Sequence, residues 1–142
     1  MKPGIKEKMM EFLVENEYIR NLNVSITEYE DGYARGEMLV EDKHLNLYHS
    51  VHGGALYSLA DIVSGCAACQ NGRYATTVSG TMSFLKPAIH TRKVVCEARA
   101  VHNGKTISVY EVKLLDDKGE LLETGTFTFY HMNREVLPET EA

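Results

Sequence analysis

The stretch His44-Leu45-Asn46-Leu47-Tyr48-His49-Ser50-Val51-His52-Gly53-Gly54-Ala55-Leu56-Tyr57-Ser58-Leu59-Ala60-Asp61 decides how the rest of this 142-residue chain is read. A polar loop ends in two glycines and runs directly into an apolar segment. From Gly53 to about Gln70, Leu56, Leu59, Ala60, Val63 and Ala67 recur at helical spacing, and Ala55, Ile62 and Cys66 widen the apolar face. A helix that apolar is wrapped by other structure. Asn71-Gly72 supplies its stop, because both residues tolerate the left-handed conformation that ends helices.

Upstream of the loop, Ile5, Met9, Phe12 and Leu13 fall near one face and predict a short helix over 5–16. Strands are expected at about 22–29 and 33–41, joined by the hairpin signal Asp31-Gly32. Downstream, four more strands are expected. They cover about 76–85 (ending at Lys86-Pro87), 92–102, 105–116 and 120–131, with turns at Asn103-Gly104 and Asp117-Lys118-Gly119. The polar tail after Met132 is expected to fray. Helix, two strands, one long buried helix and four strands make an α+β pattern: an antiparallel sheet wrapped around a long central helix. A doubly wound parallel sheet needs helices alternating with strands and is excluded. The expectation is a single domain over 1–142 with its core at about 20–131.

Bulk properties narrow the function classes. The formal charge of −5 argues against nucleic acid or an anionic membrane as partner, since both call for a basic surface. No apolar run approaches a membrane span, and the N-terminal residues lack the apolar region of a signal peptide. Three cysteines, an odd number, fit a reducing compartment, so a cytoplasmic location is expected.

Two features of the opening stretch carry chemistry. Exposed N–H groups at a helix start make a site for negative charge, and glycine there lets a carbonyl approach the backbone closely. An oxyanion formed during acyl transfer wants that arrangement, with Gly53 and Gly54 as its source. The second feature is Asp61, whose sequence neighbours are apolar, so a poorly solvated carboxylate is expected. In hydrolysis it serves as general base for water or as nucleophile. Asp61 lies eight residues beyond Gly53, roughly 12 Å further along the axis, whereas reacting atoms must come within about 3–3.5 Å. If both act on one bond, they come from different copies of the chain.

His52-Gly53-Gly54, four residues, Leu59, one more and Asp61 resembles the HGG-x4-L-x-D signature of the phenylacetate-pathway (PaaI-type) branch of hotdog thioesterases. Asn46 stands six residues before His52, Ser83-Phe84-Leu85-Lys86-Pro87-Ala88 is similar to the branch's F-L-x-P-A strand end, and Asn103-Gly104-Lys105-Thr106 to its G-[KR]-T hairpin. The likeness spans about residues 20–130.

The resemblance implies a hotdog fold and hydrolysis of acyl-CoA thioesters without a metal or other cofactor. It assigns Gly53 N–H to the thioester carbonyl, His52 to shaping that site, and Asn46 to holding the water or the carboxylate. Asp61 of a partner subunit becomes base or nucleophile, and Thr77 the hydroxyl that orients the water. Coenzyme A contacts fall on Gly54, on Val78, Ser79, Gly80 and Thr81, and on Asn103, Gly104 and Lys105; Arg99, Lys86 and Arg92 are further phosphate candidates. A homodimer, and a dimer-of-dimers tetramer, are implied as well. Tyr48 and His49 depart from the smaller residues common in that loop.

Cys66-Ala67-Ala68-Cys69 reads as core packing rather than a redox pair, because it lies in the last turns of the apolar helix. His44, His49 and His52 lack cysteine or carboxylate at ligand spacing, so no metal is expected. Two other readings stay open: dehydration of a hydroxyacyl thioester on the same fold, and a non-catalytic acyl-CoA binding module.

Overall fold

The central helix, α3 (Gly53–Ala68), begins where His52 caps its first turn and continues through a run of Ala and Leu with no proline to stop it. In the computed structural model, which describes residues 1–137, a short 3-10 turn over Cys69–Asn71 tightens its end. Gly72, at φ 90, then turns the chain out of the helix. Leu59, Ala60, Val63 and Ala67 are fully buried, as the apolar periodicity predicts.

The sheet is built from β1 (Val24–Glu30), β2 (Tyr33–Leu39), β3 (Arg73–Phe84), β4 (Lys93–Asn103), β5 (Ile107–Leu115) and β6 (Leu121–Glu135), all antiparallel, in the order β1-β2-β4-β5-β6-β3. Its concave face grips α3 through Met38, Val94, Tyr110, Val112, Phe127 and Phe129, all 0–1% exposed. An antiparallel sheet wrapped around one long helix is the expected hotdog architecture.

Local departures have identifiable causes. After α1 (Ile5–Glu15) the chain forms a second helix, α2 (Glu17–Asn21), because the Asn16 side chain accepts the Ile19 N–H at 3.0 Å and caps it. Beyond Met132 the chain does not fray at once. It continues β6 to Glu135, paired with Arg73, and buries Val136, whose N–H reaches Gly72 O at 2.7 Å. The last part of the expected frayed tail, 138–142, lies outside the described residues.

β3 matters most for the site. Among the described residues it is an edge strand, paired only with β6, and its register slips between Thr77↔Phe129 and Ser79↔Thr128. One extra residue, Val78, therefore bulges out. Because side chains alternate with period two, the bulge switches which parity faces the helix. Thr77 faces α3 before it; Gly80 and Phe84 face α3 after it. A Cβ on Gly80 would lie 2.4 Å from the Tyr57 hydroxyl and 2.7 Å from the Phe127 ring, so glycine is required where β3 crosses the helix.

Candidate active site

At the head of α3, His52 Nδ1 accepts the Gly54 N–H at 2.8 Å, and the His52 carbonyl accepts those of Ala55 (2.9 Å) and Leu56 (3.1 Å). The Gly53 N–H has no acceptor among the described residues. It lines a cavity of about 310 Å³ with Asn46, Ser50, Leu56, Phe84 and Glu123. A Cβ at Gly53 would meet the Phe84 ring edge at 3.2 Å, so glycine keeps this amide uncovered. His52 thus builds the helix start by using one ring nitrogen as a cap.

Asn46 shapes the same loop. Its Oδ1 accepts the Tyr48 and Ser50 N–H groups at 2.8 and 3.2 Å, while its Nδ2 donates to Ser50 Oγ at 2.9 Å. Those bonds fix the loop and leave one amide hydrogen for the cavity. Tyr48 and His49 stand exposed at the loop tip, His49 with a positive φ of 63. The His44 ring is buried, accepting the Glu41 N–H on Nδ1 at 2.9 Å and donating from Nε2 to Asn21 O at 2.7 Å.

Two turns along α3, the Thr77 hydroxyl donates to Asp61 Oδ1 at 2.6 Å. Asp61 is only half-buried, which departs from the expected poorly solvated carboxylate. A helix turns about 100° per residue, so Leu59 and Ala60 meet the sheet while Asp61 emerges at its flank. An apolar cavity of about 220 Å³ adjoins the Asp61–Thr77 pair, walled by Met9, Phe12 and Ile19 from the N-terminal helices and by Ile62 and Phe129.

The remaining expected ligand positions divide between an edge and a hairpin. Val78, Ser79 and Thr81 lie exposed on β3, and the Gly80 carbonyl accepts the Tyr57 hydroxyl at 2.6 Å. Asn103, Gly104 and Lys105 form the β4–β5 hairpin. The pairings Ser108↔Phe129 and Phe129↔Thr77 put it at the Thr77 end of the sheet. A buried relay anchors it: Ser108 Oγ donates to Asn103 Oδ1 at 3.1 Å and meets His131 Nε2 at 2.6 Å. Burial, and secondarily Arg73, lower the His131 pKa. Arg73 also donates to the Lys105 carbonyl. Of the further phosphate candidates, Arg99 lies over the Tyr33 ring and Lys86 is ion-paired with Glu120. The Arg92 backbone N–H donates to Asp117 Oδ2 at 3.0 Å. Burial raises the thiol pKa values of Cys66, to about 12, and of Cys69, as befits core packing.

The geometry therefore gathers the candidate residues into two groups, two turns apart along α3. One holds Gly53, His52 and Asn46; the other holds Asp61 and Thr77. Sequence reading missed Glu123, a buried carboxyl lining the same cavity as Gly53. Its signal was parity: counted along β6, Glu123 falls on the same face as Phe127 and Phe129.

Residues 48–123 match the thioesterase superfamily family model. The acyl-coenzyme A thioesterase PaaI of Escherichia coli is 31% identical over 97 residues, 68% of this chain and 69% of that protein. Its structure superposes with a TM-score of 0.87 at 23% identity, covering 92% of this chain and 95% of that one. A Streptococcus mutans protein bound to acetyl CoA is 27% identical, with a TM-score of 0.75 over 80% of this chain and 91% of that one. The chain belongs to the thioesterase superfamily, to its PaaI-type hotdog branch.

Proposed function

We propose that this protein hydrolyses acyl-CoA thioesters to the free acid and coenzyme A, in sites shared between two copies of the chain. The observation that carries the reading is the split: an open Gly53 N–H and the Asp61–Thr77 pair sit two turns apart on one helix. The name of the Escherichia coli relative and the acetyl CoA held by the Streptococcus mutans neighbour support the substrate class.

The Gly53 N–H, at the positive end of α3, receives the thioester carbonyl oxygen and stabilises the negative charge it gains on attack. Asp61 of the other copy either takes a proton from the water that attacks the carbonyl carbon, or attacks that carbon itself to form a mixed anhydride that water then hydrolyses, freeing the acid and restoring Asp61. Thr77 occupies Oδ1 of that carboxylate and leaves Oδ2 to act. The carbon–sulfur bond breaks, and the thiolate leaves as coenzyme A after protonation. The hairpin around Lys105 and the β3 edge receive the coenzyme A portion.

Self-association follows from the same surface. β3 offers twelve residues with one unpaired edge, Val78 is 56% exposed, and the Asp61 flank of α3 is only partly covered by its own sheet. A long edge of this kind, uncharged beyond Arg73, invites pairing with another chain.

Thiol release from acyl-CoA tests the activity, and mixing variants tests the sharing. Asp61→Asn removes the carboxylate. Gly53→Pro removes one N–H at the first helical position, where proline is tolerated once the Phe84 ring yields a few tenths of an ångström to the added Cβ. Each variant alone is expected to be nearly inactive. Refolded together, they rebuild one intact site per mixed dimer, restoring roughly a quarter of wild-type activity. Absence of recovery from two well-folded parents defeats the shared site; absence of thiol release by the wild type defeats the hydrolase.

A further inference from the structure

Glu123 is 1% exposed, and neither carboxylate oxygen has a hydrogen-bond partner among the described residues. It sits on β6 directly across from Phe84, and cross-strand partners project from the same face of a sheet. Phe84 packs against Gly53, and Glu123 lines the same cavity as Gly53. Val51, Leu56, Phe84, Leu85 and Pro87 wall the cavity with apolar groups; Asn46 and Ser50 are tied up with each other and with their loop, and Lys86 is paired with Glu120, so none of them partners the carboxyl.

Such a pocket, made for a plain hydrocarbon group, has no use for a carboxyl. Burying an unpaired one opposes folding, and an apolar side chain of similar volume avoids that cost. The carboxyl becomes satisfied when the cavity holds a ligand group that both donates and accepts. Burial pushes its pKa up to about 7, so a substantial fraction is protonated near neutrality and offers an O–H beside a carbonyl acceptor. An alcohol complements both functions. An ammonium group would require the ionised form in an apolar pocket; a second carboxylate would repel it.

We propose that Glu123 is a specificity-determining residue that hydrogen-bonds a hydroxyl group carried by the acyl part of the substrate. The inference rests on the reading of Gly53 as the carbonyl-binding donor. Since one cavity contains both groups, the hydroxyl stands within a few atoms of the thioester carbonyl. The apolar cavity beside Asp61 has no equivalent buried carboxyl, so selection for the hydroxyl resides on the Gly53 side.

The test uses butanoyl-CoA, 3-hydroxybutanoyl-CoA and 4-hydroxybutanoyl-CoA, identical except for the hydroxyl. For the wild type, kcat/KM for at least one hydroxyl-bearing thioester is expected to exceed that for butanoyl-CoA by about 10- to 100-fold, the range for one buried hydrogen bond. Glu123→Met, apolar and of similar volume, should bring that ratio to within about threefold of one. Glu123→Gln, which still donates and accepts, should keep most of the preference. A packing role alone changes the rates for all three thioesters together and leaves their ratio unmoved. An unmoved ratio in Glu123→Met, or a wild type that does not distinguish the three, overturns the role of Glu123 while thiol release preserves the hydrolase reading. No thiol release from any of them removes both.

Discussion

Glu123 makes stability depend on pH in an unusual direction, and Glu123→Gln isolates the effect. Desolvation raises its pKa from the ordinary 4.5 to about 7 in the folded chain. Below pH 4.5 the carboxyl is protonated both folded and unfolded, and it contributes no pH dependence. Between 4.5 and 7 the unfolded chain releases the proton while the folded chain holds it, so stability falls as pH rises. Above 7 the loss is complete. That displacement corresponds to about 3 kcal/mol, an upper figure because water entering the cavity relieves part of it. The other titratable groups nearest the carboxyl are the Cys96 thiol, itself held protonated by burial, and Lys86 at the cavity wall, already paired with Glu120. Glutamine mimics the neutral acid, so wild type and Glu123→Gln should be nearly equal at pH 4.5, and the variant should gain up to about 3 kcal/mol by pH 8. Urea unfolding at fixed protein concentration, followed by far-UV circular dichroism, measures the difference. Parallel stability curves for the two proteins from pH 4.5 to 8 refute the burial argument.

Thr77→Val keeps the shape of β3 but removes the hydrogen bond to Asp61 Oδ1. It should lower kcat by about tenfold with KM within about twofold, the size expected for one hydrogen bond to a charged group; steady-state thiol release with an unchanged melting curve is the check. Val78→Lys puts a charge on the exposed bulge of the edge strand. Sedimentation should show mostly monomer, and activity should fall in proportion to the dimer lost; an active monomer contradicts the shared site.

What the sequence disclosed depended on whether its information was local. α3 was legible because apolar residues occupied nearly every turn, and the hairpins because Asp31-Gly32 and Asn103-Gly104 fix local backbone geometry. The end of β6 was hidden because Asn133, Arg134 and Glu135 are polar; the strand is held there by the pairing of Glu135 with Arg73 of β3, a contact just over sixty residues distant in sequence. The degree of Asp61 burial was misjudged because apolar sequence neighbours on a helix face other directions than the residue between them. Thr77 was named by resemblance alone, and its hydroxyl meets Asp61. Glu123 escaped because a single glutamate in a Thr-rich strand looks solvent-facing until the parity of Phe127 and Phe129 is carried back to it.

The bulge at Val78 ties these elements together. Without it, a strand presenting Thr77 to α3 would turn Phe84 away from the helix, and the wall beside Gly53 would open. With it, one strand borders both groups of candidate residues, with Thr77 and Phe84 seven residues apart, roughly 23 Å along an extended chain. No bending of the side chains closes that span within one copy. In the proposed shared site, a two-fold axis near the middle of β3 would exchange the strand's ends, so that Asp61 and Thr77 of each copy would face Gly53 of the other and the same contact would arise twice. On that proposal the register slip has a role beyond the monomer. It sets which face each end of the edge strand presents, and the two ends must present complementary halves for symmetry to assemble a complete site.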